Sequence, residues 1–377
     1  MKRFRMSMMA ALMATALAVA GCGGSGGGGG GEATGPTDPS KVVFETSAKT
    51  LDPLTGGAMS AAVAINAGGS IVGISGNATQ QVRGVKWSVN GADGSVGAAT
   101  TLEPLAGFNY SAAYGINDSG FTVGESEDAG NTVVAASWAP GSATASKLPV
   151  LSAGKNSAAY SISASGKIVG ESVNNSDLVV PVYWSSSSAV PVALPVLSPG
   201  GSGSAYCVVD NANGSSTIVG ESNDHAVRWR ITAAGAVGSA EDLGTLSGHT
   251  RSIALGVNTG GVIVGESEDS TGVTSAVIFK DKTLLGVVIP GFDVIDLGVN
   301  GAKSSANAIN DSSMIAGWTN DPSGSSLTAL WLALATPVNT VNTSLSGSGG
   351  FGQALGINAK GYIVGVKSDV GFVAIPR

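Results

Sequence analysis

Four glutamates, Glu125, Glu171, Glu221 and Glu266, each follow a Val-Gly pair and precede a serine. In three further copies of the same motif the corresponding place holds Ile74, Trp318 and Val366. Carboxylates that converge can bind a cation, hydrogen-bond a sugar hydroxyl, or act as the acid–base pair of a glycosidase. Whether they converge depends on the element that carries them. The glutamate stands two residues after a valine in a run of β-formers, so alternation puts both on one face of a strand. A glutamate buried there without a partner is costly. The position is therefore expected at a strand end, near a rim, where Glu125, Glu171, Glu221 and Glu266 form one arc and Ile74, Trp318 and Val366 the other. These four glutamates and Trp318, read as an exposed aromatic contact, are the ligand-binding candidates. The plainer reading is a solvated rim that tolerates any residue.

Other chemistry is thinly supported. Acidic loops lie close by, at Glu127 and Asp128, Asn174 and Asp177, Asn223 and Asp224, and Glu268 and Asp269. Calcium takes six to eight oxygens, and none of these loops has the spaced acidic pattern of a dedicated calcium loop. The nearest, Asp210-Asn211-Ala212-Asn213-Gly214, fails at Ala212. Calcium is the one ion left open; no other cofactor, metal ligand or catalytic residue is assigned. The two histidines, His225 and His249, are read as structural, and no zinc spacing is present. After Cys22 only Cys207 remains, so an internal disulfide is not expected and Cys207 reads as a buried, inert thiol.

The motif around the glutamates organises most of the chain. AINAGGSIVGIS, GINDSGFTVGES, SISASGKIVGES, VVDNANGSSTIVGES, GVNTGGVIVGES, AINDSSMIAGWT and GINAKGYIVGVK recur, with anchor glycines at Gly73, Gly124, Gly170, Gly220, Gly265, Gly317 and Gly365. Each copy reads as a short strand, an Asx turn with glycine at a positive-φ position, and a second strand. A third strand ends in Trp87, Trp138, Trp184, Trp229, Phe279 or Trp331, and a fourth extended segment runs toward an LPVL-like tail. One large ring per copy at a fixed place is what packing between neighbouring sheets requires, so these aromatics are assigned to the core. No segment after the first residues shows a sustained 3.6-residue apolar period, so no substantial helix is expected.

Four short strands per unit of 45–52 residues predict an all-β fold, a seven-bladed β-propeller with four-stranded blades. The last copy stops after its third strand. The segment from Lys41 to Leu54 has the character of a fourth strand and tail, so it is expected to complete the last blade and close the ring. Closure removes the exposed sheet edges.

The organisation expected is a signal segment over residues 1–21, a tether over 22–40 and the propeller over 41–377. Lys2, Arg3 and Arg5 precede an apolar run from Met8 to Ala20, which is short for a bilayer span. It ends Val19-Ala20-Gly21-Cys22, which resembles the lipobox of bacterial lipoproteins. That resemblance implies cleavage before Cys22, lipidation of Cys22 and, with Gly23 after it, sorting to the outer membrane. The Gly-rich run Gly23 to Gly31 reads as a flexible tether. The net charge is −7, and charged residues make up 12% of the chain against about 25% in typical domains. An acidic chain poor in Lys and Arg argues against a nucleic-acid partner.

The repeat resembles that of the HAF-repeat extracellular proteins, whose unit runs D-L-G-T-L, then I-N-x-x-G-x-V-V-G-x-S, then H-A-F-L-W. Asp242 to Leu246 reads DLGTL, Asp296-Leu297-Gly298 is a partial copy, and His225-Ala226-Val227-Arg228-Trp229 is nearest to the third part. The resemblance spans most of residues 41–377 through short, degenerate motifs. It implies an exported repeat protein and transfers no catalytic residue. The expected function is a non-catalytic, lipid-anchored, monomeric envelope module that binds or scaffolds a protein or glycan. The alternatives are a carbohydrate-active enzyme with carboxylates at the propeller mouth, and an adhesin-like surface protein.

Overall fold

A computed structural model describes residues 48–153, 155–284, 287–297, 303–320, 326–332 and 352–376. Among them there is no helix, and the strands group into seven antiparallel sheets in chain order. Blade 1 holds Ser60–Ile65, Ser70–Gly76, Val82–Ser88 and Thr100–Leu102; blade 2 holds Tyr110–Ile116, Thr122–Glu127, Val133–Trp138 and Ser146–Lys147. Blade 3 (from Ser157–Ile162), blade 4 (from Gly203–Asp210) and blade 5 (from His249–Val257) repeat the pattern. Blade 6 has three described strands, from Ser304–Ile309, and blade 7 runs Gln353–Ile357, Ile363–Lys367 and Val370–Ala374. The first strands of neighbouring blades touch all the way round, blade 7 meeting blade 1. They therefore form the innermost ring of a seven-bladed propeller.

Closure follows the expected route. Lys49–Leu51 pairs antiparallel with Val370–Ala374, Lys49 opposite Val373 and Leu51 opposite Gly371, as the fourth strand of blade 7. Leu51 is fully buried in the apolar cluster shared by blades 7 and 1. Ser60 ties the seam, its hydroxyl donating to the Leu51 carbonyl and accepting the Gly371 N–H. The part of the expected closing segment before residue 48 lies outside the described residues, as does Cys22.

The recurring residues have distinct structural duties. The motif asparagine caps its own turn: the Asn66 side-chain oxygen accepts the Ser70 N–H, and that of Asn117 the Phe121 N–H. Its amide reaches the next blade. Asn66 donates to the Asn117 carbonyl and Asn117 to the Ser163 carbonyl; Asn258 donates to Asn310, Asn310 to Asn358 and Asn358 back to Asn66. The belt is interrupted only at Ser163, which has no amide, and at Asn211, whose amide turns to Ser215 and Thr217. The anchor glycines are forced by crowding. A Cβ on Gly124 would strike the Ala112 carbonyl oxygen of the first strand, and the other six meet the equivalent oxygen.

The third-strand aromatics are core residues, as expected. Trp87, Trp138, Trp184 and Trp229 are almost fully buried. Their indole N–H groups reach back to the carbonyls of Asp52, Glu103, Pro149 and Pro195 at 2.7–2.9 Å. In four blades the serine after the slot residue pins the preceding tail: Ser75, Ser126, Ser222 and Ser267 accept the N–H groups of Leu54, Leu105, Leu197 and Leu246, whereas among the described residues the Ser172 hydroxyl is buried without a partner.

Candidate functional site

Each first strand carries a β-bulge opposite its anchor glycine. In blade 2 Ala113 pairs with Gly124 and Gly115 with Val123, so Tyr114 is the extra residue. The extra residues elsewhere are Val63, Tyr160, Tyr206, Leu255, Asn307 and Leu355. A bulge re-aims one side chain. Here it sends that side chain to the propeller axis: Tyr114 stacks against Tyr160, and Tyr160 against Tyr206, with ring centroids 5.8 and 5.6 Å apart. Val63, Tyr114 and Tyr160 share one buried cluster with the slot residue Ile74, and Tyr206 and the slot residue Val366 pack on it.

The slot residues therefore face the axis too. Their pairing is identical in register around the ring: Ala61 with Ile74, Ala112 with Glu125, Ala158 with Glu171, Ser204 with Glu221, Ile253 with Glu266, Ser305 with Trp318 and Gln353 with Val366. This corrects the expectation of a strand-end rim. Glu125 lies inside its strand and is only 6% exposed; Glu171, Glu221 and Glu266 are partly exposed. It also corrects the expectation for Trp318, which is 9% exposed rather than a free surface aromatic.

Hydroxyl partners make the burial possible. Tyr114 donates to Glu125 at 2.9 Å, Tyr206 to Glu221 at 3.3 Å and Ser204, from the next blade, to Glu171 at 2.5 Å. The Tyr160 hydroxyl favours the ionised form of Glu171 and the Ser305 hydroxyl that of Glu266, Ser305 itself donating to the Asn307 side-chain oxygen at 2.8 Å. Burial still dominates. It pushes the Glu125 carboxyl up to about 8, against the pull of the Tyr114 hydroxyl and with the repulsion of Glu171 and Glu127 added. Glu266 is raised to about 7 and Glu171 is raised as well, burial again being the main cause. Glu171 is further raised by the charge of Glu221, as is Glu266. The four carboxyls are thus electrostatic neighbours on one arc. Burial and the adjacent carboxylates hold Tyr110, Tyr114, Tyr160 and Tyr206 well above the usual phenol range, so they act as hydroxyl donors.

The tyrosines were not singled out from the sequence, though a signal was present. Ala-Ala-Tyr at Ala112 to Tyr114 and Ala158 to Tyr160, and Ser-Ala-Tyr at Ser204 to Tyr206, occur in three of the four blades that carry the glutamate.

The acidic loops serve their own turns. The side-chain oxygen of Asp128 accepts the Gly130 and Thr132 N–H groups, Asn174 those of Ser176 and Leu178, and Asp269 those of Thr271 and Val273. Asp210 is engaged by Lys167 at 2.8 Å, which with backbone bonds holds its carboxyl down at about 2. His225 pairs with Asp242 on the outside of blade 4. Cys207 is fully buried at the seam of blades 4 and 5, but as a disulfide-bonded residue rather than the free thiol expected.

No family model and no curated protein matches the chain. Solved structures resemble it at low identity. The β-propeller domain of a protease from Pyrococcus furiosus is 10% identical, with a TM-score of 0.49 over 85% of this chain and 91% of that one. A protein of unknown function from Dyadobacter fermentans is 10% identical, with a TM-score of 0.45 over 89% and 99%. A lectin from Burkholderia pseudomallei is 12% identical, with a TM-score of 0.37 over 80% and 99%. These likenesses concern the fold and carry no function over. The chain is a seven-bladed β-propeller with an acidic and aromatic arc around one side of its axis.

Proposed function

We propose that this protein is a non-catalytic binding propeller, held at the outer membrane through a lipidated Cys22, whose ligand seats at the axial arc. The observation that supports this reading is the gathering of Glu125, Glu171, Glu221 and Glu266 around one axis with three tyrosine hydroxyls. A scaffold needs none of them. Blades 1 and 7 fill the same slot with Ile74 and Val366, at no electrostatic cost. Carboxyls and phenols beside aliphatic side chains suit a polyhydroxylated ligand, whose hydroxyls they can hydrogen-bond while the aliphatic groups meet its C–H faces. A glycan is therefore favoured over a protein segment. Fold alone does not decide this, because propellers support many functions.

A glycan panel with product analysis tests the reading. Saturable binding without bond cleavage, weakened when the four glutamates become glutamine, is the expected result. Cleavage would make the carboxyl pair catalytic, and unchanged binding in the variant would move the site elsewhere. Anchoring is tested separately, by the mass of the membrane-extracted protein and by Cys22→Ser. Cys22 is the only cysteine besides Cys207, and an acylated Cys22 has no sulfur left for a disulfide, so the anchor and the disulfide of Cys207 exclude each other: an acylated Cys22 with a free Cys207 thiol supports the anchor, and an unacylated Cys22 bonded to Cys207 overturns it.

A further inference from the structure

The chain holds four pairs in which glycine follows asparagine or aspartate: Asn90-Gly91, Asp93-Gly94, Asn213-Gly214 and Asn300-Gly301. The last lies outside the described residues. Such a pair can react with itself, the glycine nitrogen attacking the side-chain carbonyl carbon, because glycine has no side chain to block the approach. The nitrogen must first lose its proton, and an N–H already given to a carbonyl must first give up that bond. Two pairs are guarded in this way. The Gly94 N–H donates to the Asn90 carbonyl at 2.7 Å and the Gly214 N–H to the Asn211 carbonyl at 2.9 Å. Both glycines are also held at positive φ, 67° and 79°. Gly91 differs. Among the described residues its N–H meets no acceptor, and a Cβ built on it would touch nothing within 4 Å. Asn90 and Gly91 are both exposed. The Ala92 N–H donates to the Asn90 side-chain oxygen at 3.0 Å, an Asx turn. That oxygen becomes negative as its carbon is attacked, so a donor for the developing charge is already in place.

This turn is also where the closing strand is seated. The Asn90 N–H donates to the Ser95 carbonyl at 2.9 Å, and Val89 and Val96 form a bridge beneath the turn. The Gly94 carbonyl accepts the Lys49 ammonium at 2.6 Å, and Lys49 belongs to the strand that completes blade 7. Val89 lies in one buried cluster with Leu51 of that strand and Ile375, and Val96 packs on it. The position of the Gly94 carbonyl therefore depends on the chain path through Asn90.

We propose that Asn90-Gly91 is a self-modification site at the ring seam, where the folded protein converts Asn90 to aspartate and isoaspartate and thereby loosens the seat of the closing strand. The Gly91 nitrogen gives its proton to solvent and bonds to the Asn90 Cγ. The Cγ–Nδ2 bond breaks, and Nδ2 takes a proton from water and leaves as ammonia. Water then adds to either carbonyl of the resulting succinimide. One opening yields aspartate; the other yields isoaspartate, in which the Asn90 Cβ has become part of the backbone. No group is oxidised or reduced, and water is the only co-reactant. An isoaspartate lengthens the chain path inside the turn, so the Asn90–Ser95 and Gly94–Asn90 bonds cannot both persist and the Gly94 carbonyl moves from Lys49.

Incubation of the full mature chain in warm, mildly alkaline buffer made with oxygen-18 water, followed by peptide mapping and isoaspartyl methyltransferase labelling, tests this. The Asn90 peptide is expected to gain the heavy oxygen at least tenfold faster than the Asn213 peptide while the protein is folded. In urea the two rates should come together, because the guard on Gly214 is lost there. Equal rates in the folded protein, or no conversion of Asn90 in a chain whose unfolded form converts, overturn the site. Gly91→Ala adds a methyl group in open space and should stop conversion at Asn90 while leaving that at Asn213 and Asn300 unchanged. The seam is read by thermal melting. Aged wild type should melt lower as the isoaspartate fraction at Asn90 grows, and equally aged Gly91→Ala should not. A melt that stays constant as Asn90 converts, or that falls equally in the variant, overturns the coupling to ring closure.

Discussion

Replacing Glu125 by glutamine should remove a pH dependence of stability, leaving the protein little changed at pH 5 and more stable than the wild type at higher pH. The folded carboxyl titrates at about 8 and the unfolded one near the ordinary 4.5. Between these values the unfolded chain releases a proton that the folded chain keeps. Stability from this group is therefore fully present below about pH 4.5, falls as pH rises and levels off above about 8. Each pH unit in this window is worth about 1.4 kcal/mol, so from pH 5 to pH 7 the wild type loses on the order of 2–3 kcal/mol through this one residue. Glutamine cannot ionise, and its side-chain oxygen still accepts the Tyr114 hydroxyl. Urea unfolding of both proteins at pH 5, 6, 7 and 8 measures the difference directly. The two should be close at pH 5, with E125Q the more stable by 2–3 kcal/mol at pH 7, in the same order-of-magnitude terms. Tyr114→Phe removes the hydrogen bond that favours the ionised form, so it should shift the loss to higher pH. A difference between wild type and E125Q that stays flat from pH 5 to pH 8 would refute the buried, proton-retaining carboxyl.

Three further outcomes follow from the scaffold. Gly124→Ala drives a methyl group into the Ala112 carbonyl and should cost on the order of 3 kcal/mol in the urea midpoint, with no compensating shift available in a paired strand. Ser313 takes the turn position that glycine fills in the other motif copies and has φ 61°, so Ser313→Gly should raise stability by about 1 kcal/mol, read by thermal melting. Truncation through Leu54 removes the strand that pairs with Val370–Ala374 and the carbonyl that receives the Trp87 N–H, and should lower the thermal midpoint markedly; an unchanged melt would count against ring closure by Lys49–Leu51.

The propeller was legible because its signals are backbone signals repeated in register. Asparagine, glycine, serine and tryptophan recur at fixed places, and each place has one job: a turn cap and inter-blade tie, a close backbone contact, a pin for the tail, a core ring. Ring closure was legible from an unpaired third strand at one end and a strand-like segment near the other. The face of the slot was also correctly read, but its depth was not. Alternation counts two residues per pleat, and a bulge adds one. That extra residue, Tyr114 in blade 2, is turned to the axis and supplies the hydroxyl that makes a buried glutamate tolerable. An argument that a glutamate needs a partner holds; the partner came from a position that period-two reasoning assigns to another face. Trp318 was misjudged for the same reason, since a slot near the axis buries what a slot on a rim would expose.

Asymmetry in this repeat protein is concentrated in one sector, and it appears in two layers that need not coincide. The glutamates occupy blades 2 to 5 and the tyrosines blades 2 to 4, while the asparagine belt fails at Ser163 and Asn211, in blades 3 and 4. The seams there carry charged ties instead: Lys167 of blade 3 to Asp210 of blade 4 at 2.8 Å, and Arg228 of blade 4 to Asp281 of blade 5 at 2.9 Å. Arg228 also lies over the Phe292 ring, 4.8 Å from its centroid, on the lengthened outer hairpin of blade 5. Identical copies would have no reason to differ in this way, because the apolar slot and the asparagine tie of the other blades are both less costly to fold. Buried carboxyls that repel one another lower stability, and such costs are characteristic of sites where function requires them. The sector of blades 2 to 5, with the axial arc it carries, is thus where the scaffold departs from its own most stable solution.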